Sequence, residues 1–267
     1  MPIKINRIIL WLLVLVAIFI AVWFLIGELA TLVLLFLVVF FSLILQVRLH
    51  NRTIKLNEKL NRKYFRQIEA LFSIHSLVEF SAPLPVTREW AVSPDFIAVL
   101  ITLIKKNRPQ LIVELGSGVS TIVCAYILKS AGQGTIISLD HDEKFADLTR
   151  NNLSIHGLED FSDVLHAPLG ALTLNGRNFS WYDLDALAEI GEIDMLIVDG
   201  PPHTESPMDR YPALPLLFDR LSHKAVIVLD DADRSDERKV LEQWSQEHPE
   251  LDMEFLPLEK GACVIRK

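Results

Sequence analysis

Hydrophobic positions are distributed in two ways along this chain of 267 residues. Near the start they run unbroken. Ile8 to Gly27 holds 20 residues without a charge, Leu29 to Val47 holds 19 more, and Glu28 alone stands between them. At 1.5 Å rise per residue these runs predict helices of about 30 Å and about 28 Å, each long enough for a bilayer core. Together they predict a transmembrane hairpin, residues 8–27 and 29–47, that turns near Gly27–Glu28. A cleaved signal peptide fits poorly, because the first run is too long and no small-residue cleavage site follows it. A single crossing or a re-entrant segment is the other alternative.

Beyond residue 90 the apolar runs shorten and alternate with stretches of helical spacing. Helices are predicted over Phe96–Lys106, Ser120–Ser130, Glu143–His156, Ala213–Leu221 and Asp236–Glu247. Strands are predicted over Gln110–Leu115, Thr135–Asp140, Asp163–Ala167, Ile193–Asp199, Ala225–Asp230, Met253–Leu256 and Ala262–Arg266. Continuous apolar strands separated by helices imply a parallel sheet covered on both faces. The expected fold class is therefore α/β: a doubly wound, mostly parallel seven-stranded sheet with a C-terminal antiparallel hairpin, preceded by two transmembrane helices. The expected division is 1–47 for the membrane hairpin, 48–80 for a basic juxtamembrane helix and linker, and 81–267 for one globular domain.

Charge is unevenly placed. Residues 1–72 carry nine Lys and Arg against three Asp and Glu, which leaves a net charge of −14 for the remainder out of a total of −8. Lys4 and Arg7 precede the first apolar run, and Arg48, Arg52, Lys55, Lys59, Arg62, Lys63 and Arg66 follow the second. The positive-inside rule then places the N-terminus and the globular domain in the cytoplasm. The lipid bilayer is an expected partner, because such bases attract anionic lipid at about 1 kcal/mol each; a helix that merely sets topology reads the same way. The acidic globule argues against nucleic acid, whose phosphates need a basic face. Cys124 and Cys263, far apart and without partner spacing, exclude a disulfide-stapled scaffold and a CxxC zinc site.

In an open parallel sheet the chemistry lies beyond the carboxyl ends of the strands. After the first strand comes Glu114-Leu115-Gly116-Ser117-Gly118-Val119-Ser120-Thr121. Two glycines let the backbone turn tightly and approach a ligand, and the next helix offers its N-terminal N–H groups. After the second strand comes Asp140, suitably placed to accept ribose hydroxyl hydrogen bonds. Together these describe a nucleoside site. A dinucleotide fingerprint wants glycine where Thr121 stands, and Glu114 would repel a pyrophosphate, which weakens a nicotinamide reading. A cation suits the acidic mouth better, and the sulfonium of S-adenosylmethionine is one.

These residues, with Leu139-Asp140-His141-Asp142, the segment 193–202, Arg-Tyr-Pro-Ala-Leu at 210–214 and Leu-Asp-Asp-Ala-Asp-Arg at 229–234, resemble a class I S-adenosylmethionine-dependent methyltransferase of Rossmann-like fold. The nearest branch is the catechol O-methyltransferase-like domains. The resemblance covers about Trp90 to Lys267 and leaves out the apolar N-terminal runs. It implies that Glu114, Gly116, Ser117, Gly118 and Ser120 line the methionine end of the cofactor. Asp140 would hold the ribose, His141 would lie near the adenosine and Ala167 near the adenine.

A second constellation is acidic. Asp199 ends one strand, and Asp230 and Asp231 end the next. If those strands are neighbours, about 4.8 Å apart, three carboxylates converge on one rim. A hard divalent cation such as Mg2+ is one way to compensate them, and catechol-type methyltransferases use such a triad. The plainer reading is a helix cap and salt bridge from Asp231, Asp233 and Arg234, with Asp199 ordering its own loop. Related enzymes place a lysine base where Pro202 stands here; His203 follows and is the expected catalytic base beside Asp199. Arg210, Tyr211 and Arg234 are expected either to bind an anionic acceptor or to pair with nearby acids. Trp90 and Ser93 are expected in a lid over the cofactor, and Trp181 and Tyr182 either touch the acceptor or pack. The acceptor is expected to be a small or lipid-linked molecule carrying an oxygen. The alternative is a non-catalytic membrane scaffold or cofactor sensor that retains the fold.

Overall fold

The computed structural model describes residues 5–87, 91–188, 190–202 and 207–267. The chain divides into two compact units, residues 1–62 and 63–267.

The first unit holds α1 (Ile5–Ile26) and most of α2 (Glu28–Leu77). Gly27 alone separates them, at φ +86, a conformation glycine adopts at no steric cost. Helical hydrogen bonds flank it on both sides: Gly27 N–H donates to Trp23 O at 3.3 Å and Thr31 N–H donates to Gly27 O at 3.2 Å. Among the described residues α2 is the one helix long and apolar enough to cross a membrane, and Leu13–Leu25 of α1 is a shorter apolar stretch. The α2 helix does not break where its composition turns basic. From Glu28 to Leu77 it contains neither glycine nor proline, and lysine, arginine, glutamate and leucine all favour the helix.

The second unit begins with the last turns of α2, ahead of the expected start at 81. Lys63 Nζ donates to Glu259 O at 3.3 Å, Arg66 Nη1 donates to Pro257 O at 3.1 Å, and Ile74 is fully buried. Two bases read as lipid-facing thus bond carbonyls of the globular unit.

The remaining elements are α3 (Pro94–Asn107), β1 (Leu111–Leu115), α4 (Val119–Ala131), β2 (Thr135–Asp140), α5 (Glu143–His156), β3 (Ser162–His166), β4 (Leu169–Leu174), β5 (Arg177–Tyr182), β6 (Ile193–Val198), α6 (Ala213–Leu217), β7 (Leu221–Asp230), α7 (Ser235–Glu247), β8 (Asp252–Leu256) and β9 (Ala262–Arg266). The main sheet runs β3-β2-β1-β6-β7-β9-β8. Its first five strands are parallel, and β9 lies antiparallel to both β7 and β8. This is the expected seven-stranded, mostly parallel sheet with its antiparallel hairpin. Successive residues of β6 and β7 enter opposite cores: Ile197 and Val228 pack with α3, α4 and α5, whereas Leu196 and Ile227 pack with α6 and α7. Burial on both faces explains why these strands read as unbroken apolar runs.

Two sequence-level expectations differ from the structure. The stretch between β3 and β6 holds a separate antiparallel hairpin, β4–β5, for which no element was expected. Its turn is Asn175–Gly176, both at positive φ, the pair that a two-residue hairpin favours. The helix expected over Ala213–Leu221 stops at Leu217, and a single 3-10 turn over Phe218–Arg220 leads into β7, which claims Leu221 for pairing with Ile193.

Candidate active site

Chain order reverses at β1, with β2 on one side and β6 on the other. That is where an open α/β sheet forms its ligand crevice. The turns after β1 and β6 meet there. A β-carbon on Gly116 would lie 3.4 Å from Gly200 N and 3.5 Å from Asp199 C, and Gly116 sits at φ +100. Asp199 N–H donates to Leu115 O at 3.0 Å, which ties the two turns together.

Glu114 is fully buried on β1, paired in register with Ser138 of β2. Its Oε2 accepts from Thr121 Oγ1 at 2.5 Å and from Ser138 Oγ at 2.6 Å, and its Oε1 has no hydrogen-bond partner among the described residues. Burial raises its pKa above the ordinary carboxylate value, against the opposing hydroxyls of Ser120, Ser138 and Thr121. Thr121 also accepts from Gly118 N–H at 3.0 Å. A glycine at 121, as in a dinucleotide site, would take this partner from Gly118 N–H and leave Glu114 Oε2 with Ser138. Strand pairing brings Ser138 to Glu114, and the packing of α4 on the sheet brings Thr121 to it.

Asp140 ends β2. Its Oδ2 accepts from Ser117 Oγ at 2.6 Å and Ser117 N–H at 3.2 Å, and its Oδ1 accepts from Asp142 N–H at 3.1 Å. His141 Nδ1 lies 3.6 Å from Oδ1, with the side chain one-third exposed. Ala167 is buried after β3, and its N–H donates to Asp140 O at 2.7 Å. A β-carbon on Gly118 would meet nothing within 4 Å, so the turn is open there. Glu114, Gly116, Ser117, Gly118, Ser120, Asp140, His141 and Ala167 thus gather at the carboxyl ends of β1, β2 and β3.

The acids converge beside them. One oxygen each from Asp199, Asp230 and Asp231 lies within 4.8 Å of the others. Arg210, almost fully buried, is their main counter-charge. Its Nη2 donates to Asp199 O at 2.5 Å, to Asp199 Oδ1 at 3.2 Å and to Asp231 Oδ2 at 3.0 Å, and its Nη1 donates to Asp230 O at 2.9 Å. Arg234 pairs with Asp231 Oδ2 at 2.9 Å. Of the two roles expected for Arg210 and Arg234, both take pairing with acids. Tyr211 does likewise, donating to Glu247 Oε1 at 2.6 Å.

Arg210 does not satisfy the whole cluster. Asp230 Oδ1 and Oδ2 and Asp231 Oδ1 are buried without a hydrogen-bond partner among the described residues. Burial, offset in part by Arg210 and reinforced by Asp231, pushes the Asp199 carboxyl up to about 7. Burial, Asp199 and Asp231 push Asp230 well above the carboxylate range. Oxygens left over from Arg210, in an all-carboxylate donor set, fit a hard divalent cation.

His203 and Trp90 lie outside the described residues. Ser93 is buried, and its Oγ donates to Asp95 Oδ1 at 2.6 Å at the start of α3. Trp181 and Tyr182 are buried at the end of β5, and Tyr182 reaches the crevice: a β-carbon on Gly200 would stand 2.1 Å from its Oη.

Residues 113–232 match the family model described as a methyltransferase domain. Solved structures share the fold. The methyltransferase PaMTH1 of Podospora anserina, with SAH bound, is 18% identical, covering 66% of this chain and 80% of its own at a TM-score of 0.51. The cofactor-bound protein Rv0187 of MTB is 22% identical, covering 74% and 88% at 0.51. The O-methyltransferase TomG of Streptomyces achromogenes, in complex with SAM, is 17% identical, covering 66% and 81% at 0.50. No curated protein matches the chain in sequence.

Proposed function

We propose, for a chain whose residues 113–232 match a methyltransferase domain, that S-adenosylmethionine binds between Glu114 and Asp140 and that its methyl group goes to an oxygen of a small or lipid-linked acceptor at the cytoplasmic face of a membrane. The observation that carries this reading is the buried Glu114 carboxylate, braced by Thr121 and Ser138 beside a turn that is open at Gly118. A negative group held there suits a cationic ligand. The SAH and SAM bound to PaMTH1 and TomG support the choice of cofactor.

When bound, S-adenosylmethionine supplies a methyl group on a positively charged sulfur. Glu114 holds the methionine end with the Gly116, Ser117, Gly118 and Ser120 turn, while Asp140 takes the ribose hydroxyls and His141 and Ala167 border the adenosine. The transfer asks chiefly for alignment and exclusion of water, so buried, pre-ordered groups suffice for much of the rate. Asp199, Asp230 and Asp231 are the residues that would hold a divalent cation such as Mg2+, which supplies Lewis acidity toward the acceptor hydroxyl. Arg210 keeps Asp199 and Asp231 turned into the cluster. His203 is the proposed proton acceptor, as a neutral imidazole.

The apolar runs and the bases flanking them support a two-pass membrane anchor with the N-terminus and globular unit on the cytoplasmic side. Calorimetry of the purified full chain with S-adenosylmethionine tests the central reading. Saturable binding that is lost in Gly116→Arg is expected, and absence of binding in the wild type overturns it. Resistance of the chain to alkaline carbonate extraction from membranes tests the anchor.

A further inference from the structure

Tyr182 is the last residue of β5, across from Leu169 in the β4–β5 pair. The hairpin is closed at its base by Asp183 N–H donating to Pro168 O at 3.1 Å, directly after Ala167. Both ends of the hairpin therefore border the crevice. The Tyr182 ring packs edge-on against Trp181, with ring centres 5.4 Å apart at 78°, and the residue is 2% exposed.

Its hydroxyl is buried and has no hydrogen-bond partner among the described residues. That is unusual: an unmet buried hydrogen-bonding group costs about 1–3 kcal/mol, and phenylalanine would fill the same space without it. The oxygen also lies in a particular place. A β-carbon on Gly200 would fall 2.1 Å from Tyr182 Oη, 3.2 Å from Leu115 O and 3.4 Å from Gly116 Cα. The hydroxyl therefore sits where the turns after β1 and β6 meet, in space that only a glycine at 200 leaves free. Burial raises the phenol's pKa well above its usual value, with Asp140, Asp199 and Glu114 adding to the rise and Arg210 opposing it. Tyr182 thus keeps its proton and remains a donor among the acids of the site.

We infer that the Tyr182 hydroxyl is a cofactor-binding group, whose hydrogen bond is made to bound S-adenosylmethionine where the Gly116 and Gly200 turns meet. The inference rests on the crevice being an S-adenosylmethionine site and adds to it a residue supplied by the hairpin inserted between β3 and β6. The hairpin then has a role: it carries a donor to the centre of the crevice, out of reach of the turns themselves.

Tyr182→Phe in the full chain tests this. The ligand-free variant is expected to melt at or above the wild-type temperature, because the deleted oxygen has no partner to lose. Its S-adenosylmethionine affinity, read by calorimetry, is expected to fall about five- to tenfold, the range of one neutral hydrogen bond. An unchanged affinity overturns the inference while leaving the crevice reading intact. A drop of several degrees in the ligand-free melting temperature also overturns it, since the hydroxyl would then be structural. If the wild type binds no S-adenosylmethionine, the crevice reading fails first and this one with it.

Discussion

Ser117 Oγ donates to Asp140 Oδ2 across 2.6 Å, and the Ser117 backbone N–H reaches the same oxygen at 3.2 Å. The turn after β1 therefore orients the carboxylate that ends β2 before any ligand arrives. Asp140→Ala is expected to weaken S-adenosylmethionine binding about 10- to 100-fold, as for loss of hydrogen bonds to a charged group. Calorimetry reads it directly, and an affinity within twofold of wild type would remove Asp140 from the site.

The two glycines of the turn separate backbone need from ligand space. Gly116 sits at φ +100 with Gly200 close by, so Gly116→Ala is expected to cost about 1–3 kcal/mol in urea denaturation. A β-carbon on Gly118 meets only open space. Gly118→Ala should leave ligand-free stability within about 0.5 kcal/mol of wild type, as for an unconstrained surface position, yet weaken cofactor binding by filling the mouth. Equal stability losses in the two variants would contradict this division.

Arg210 and Asp231 form a 3.0 Å pair in which both side chains are almost fully buried. Arg210→Met is expected to cost about 3–5 kcal/mol, the penalty for stranding a buried charge. Asp231→Asn in the same chain should recover part of that loss, and a double-mutant cycle by chemical denaturation measures the coupling. Additive losses would mean that the pair is not coupled.

The oxygens that Arg210 leaves unmet belong mainly to Asp230. Adding Mg2+ or Mn2+ to the wild type is therefore expected to raise its melting temperature, and a chelator should reverse the rise. Asp230→Asn should abolish the response. A wild-type melting temperature indifferent to both cations would assign the cluster to Arg210 alone.

Away from the site, His156 Nδ1 and Tyr126 Oη lie 2.6 Å apart, and Ser81 N–H donates to the same phenol oxygen at 2.9 Å. Burial lowers the His156 pKa below its usual value. The unfolded chain then takes up this proton as pH falls below about 6.5, while the folded chain does not, so stability is lost on acidification through that range. His156→Gln is expected to show a shallower fall in melting temperature between about pH 6.5 and about pH 5. An identical slope in both proteins would show that His156 carries none of it.

Much of the fold was legible because its signals are local. The ranges Thr135–Asp140, Glu143–His156 and Ala262–Arg266 are found as the sequence predicts them. The α5 boundaries are marked by Asp142, whose side chain caps the first turn, and by Gly157 in the left-handed region at the end. The β4–β5 hairpin was passed over although Asn175–Gly176 advertises its turn. Its strands are half-exposed, and they lack the continuous apolar run that marks the main sheet. The first unit was read by composition, and composition does not say where a helix ends: α2 continues past Val47 because nothing in it disfavours a helix.

The sequence by itself determined which residues stand at strand ends, and so which glycines and carboxylates share one rim of the sheet. This follows because strand length and the parallel order set those positions. Only the tertiary structure decided that Arg210 lies buried among the acids, that Thr121 and Ser138 brace Glu114, and that Tyr182 brings an unbonded hydroxyl to Gly200. Each depends on groups far apart in the chain and on water being excluded from between them. A hydrogen bond or a stranded charge exists only once packing has removed the solvent that would otherwise satisfy it.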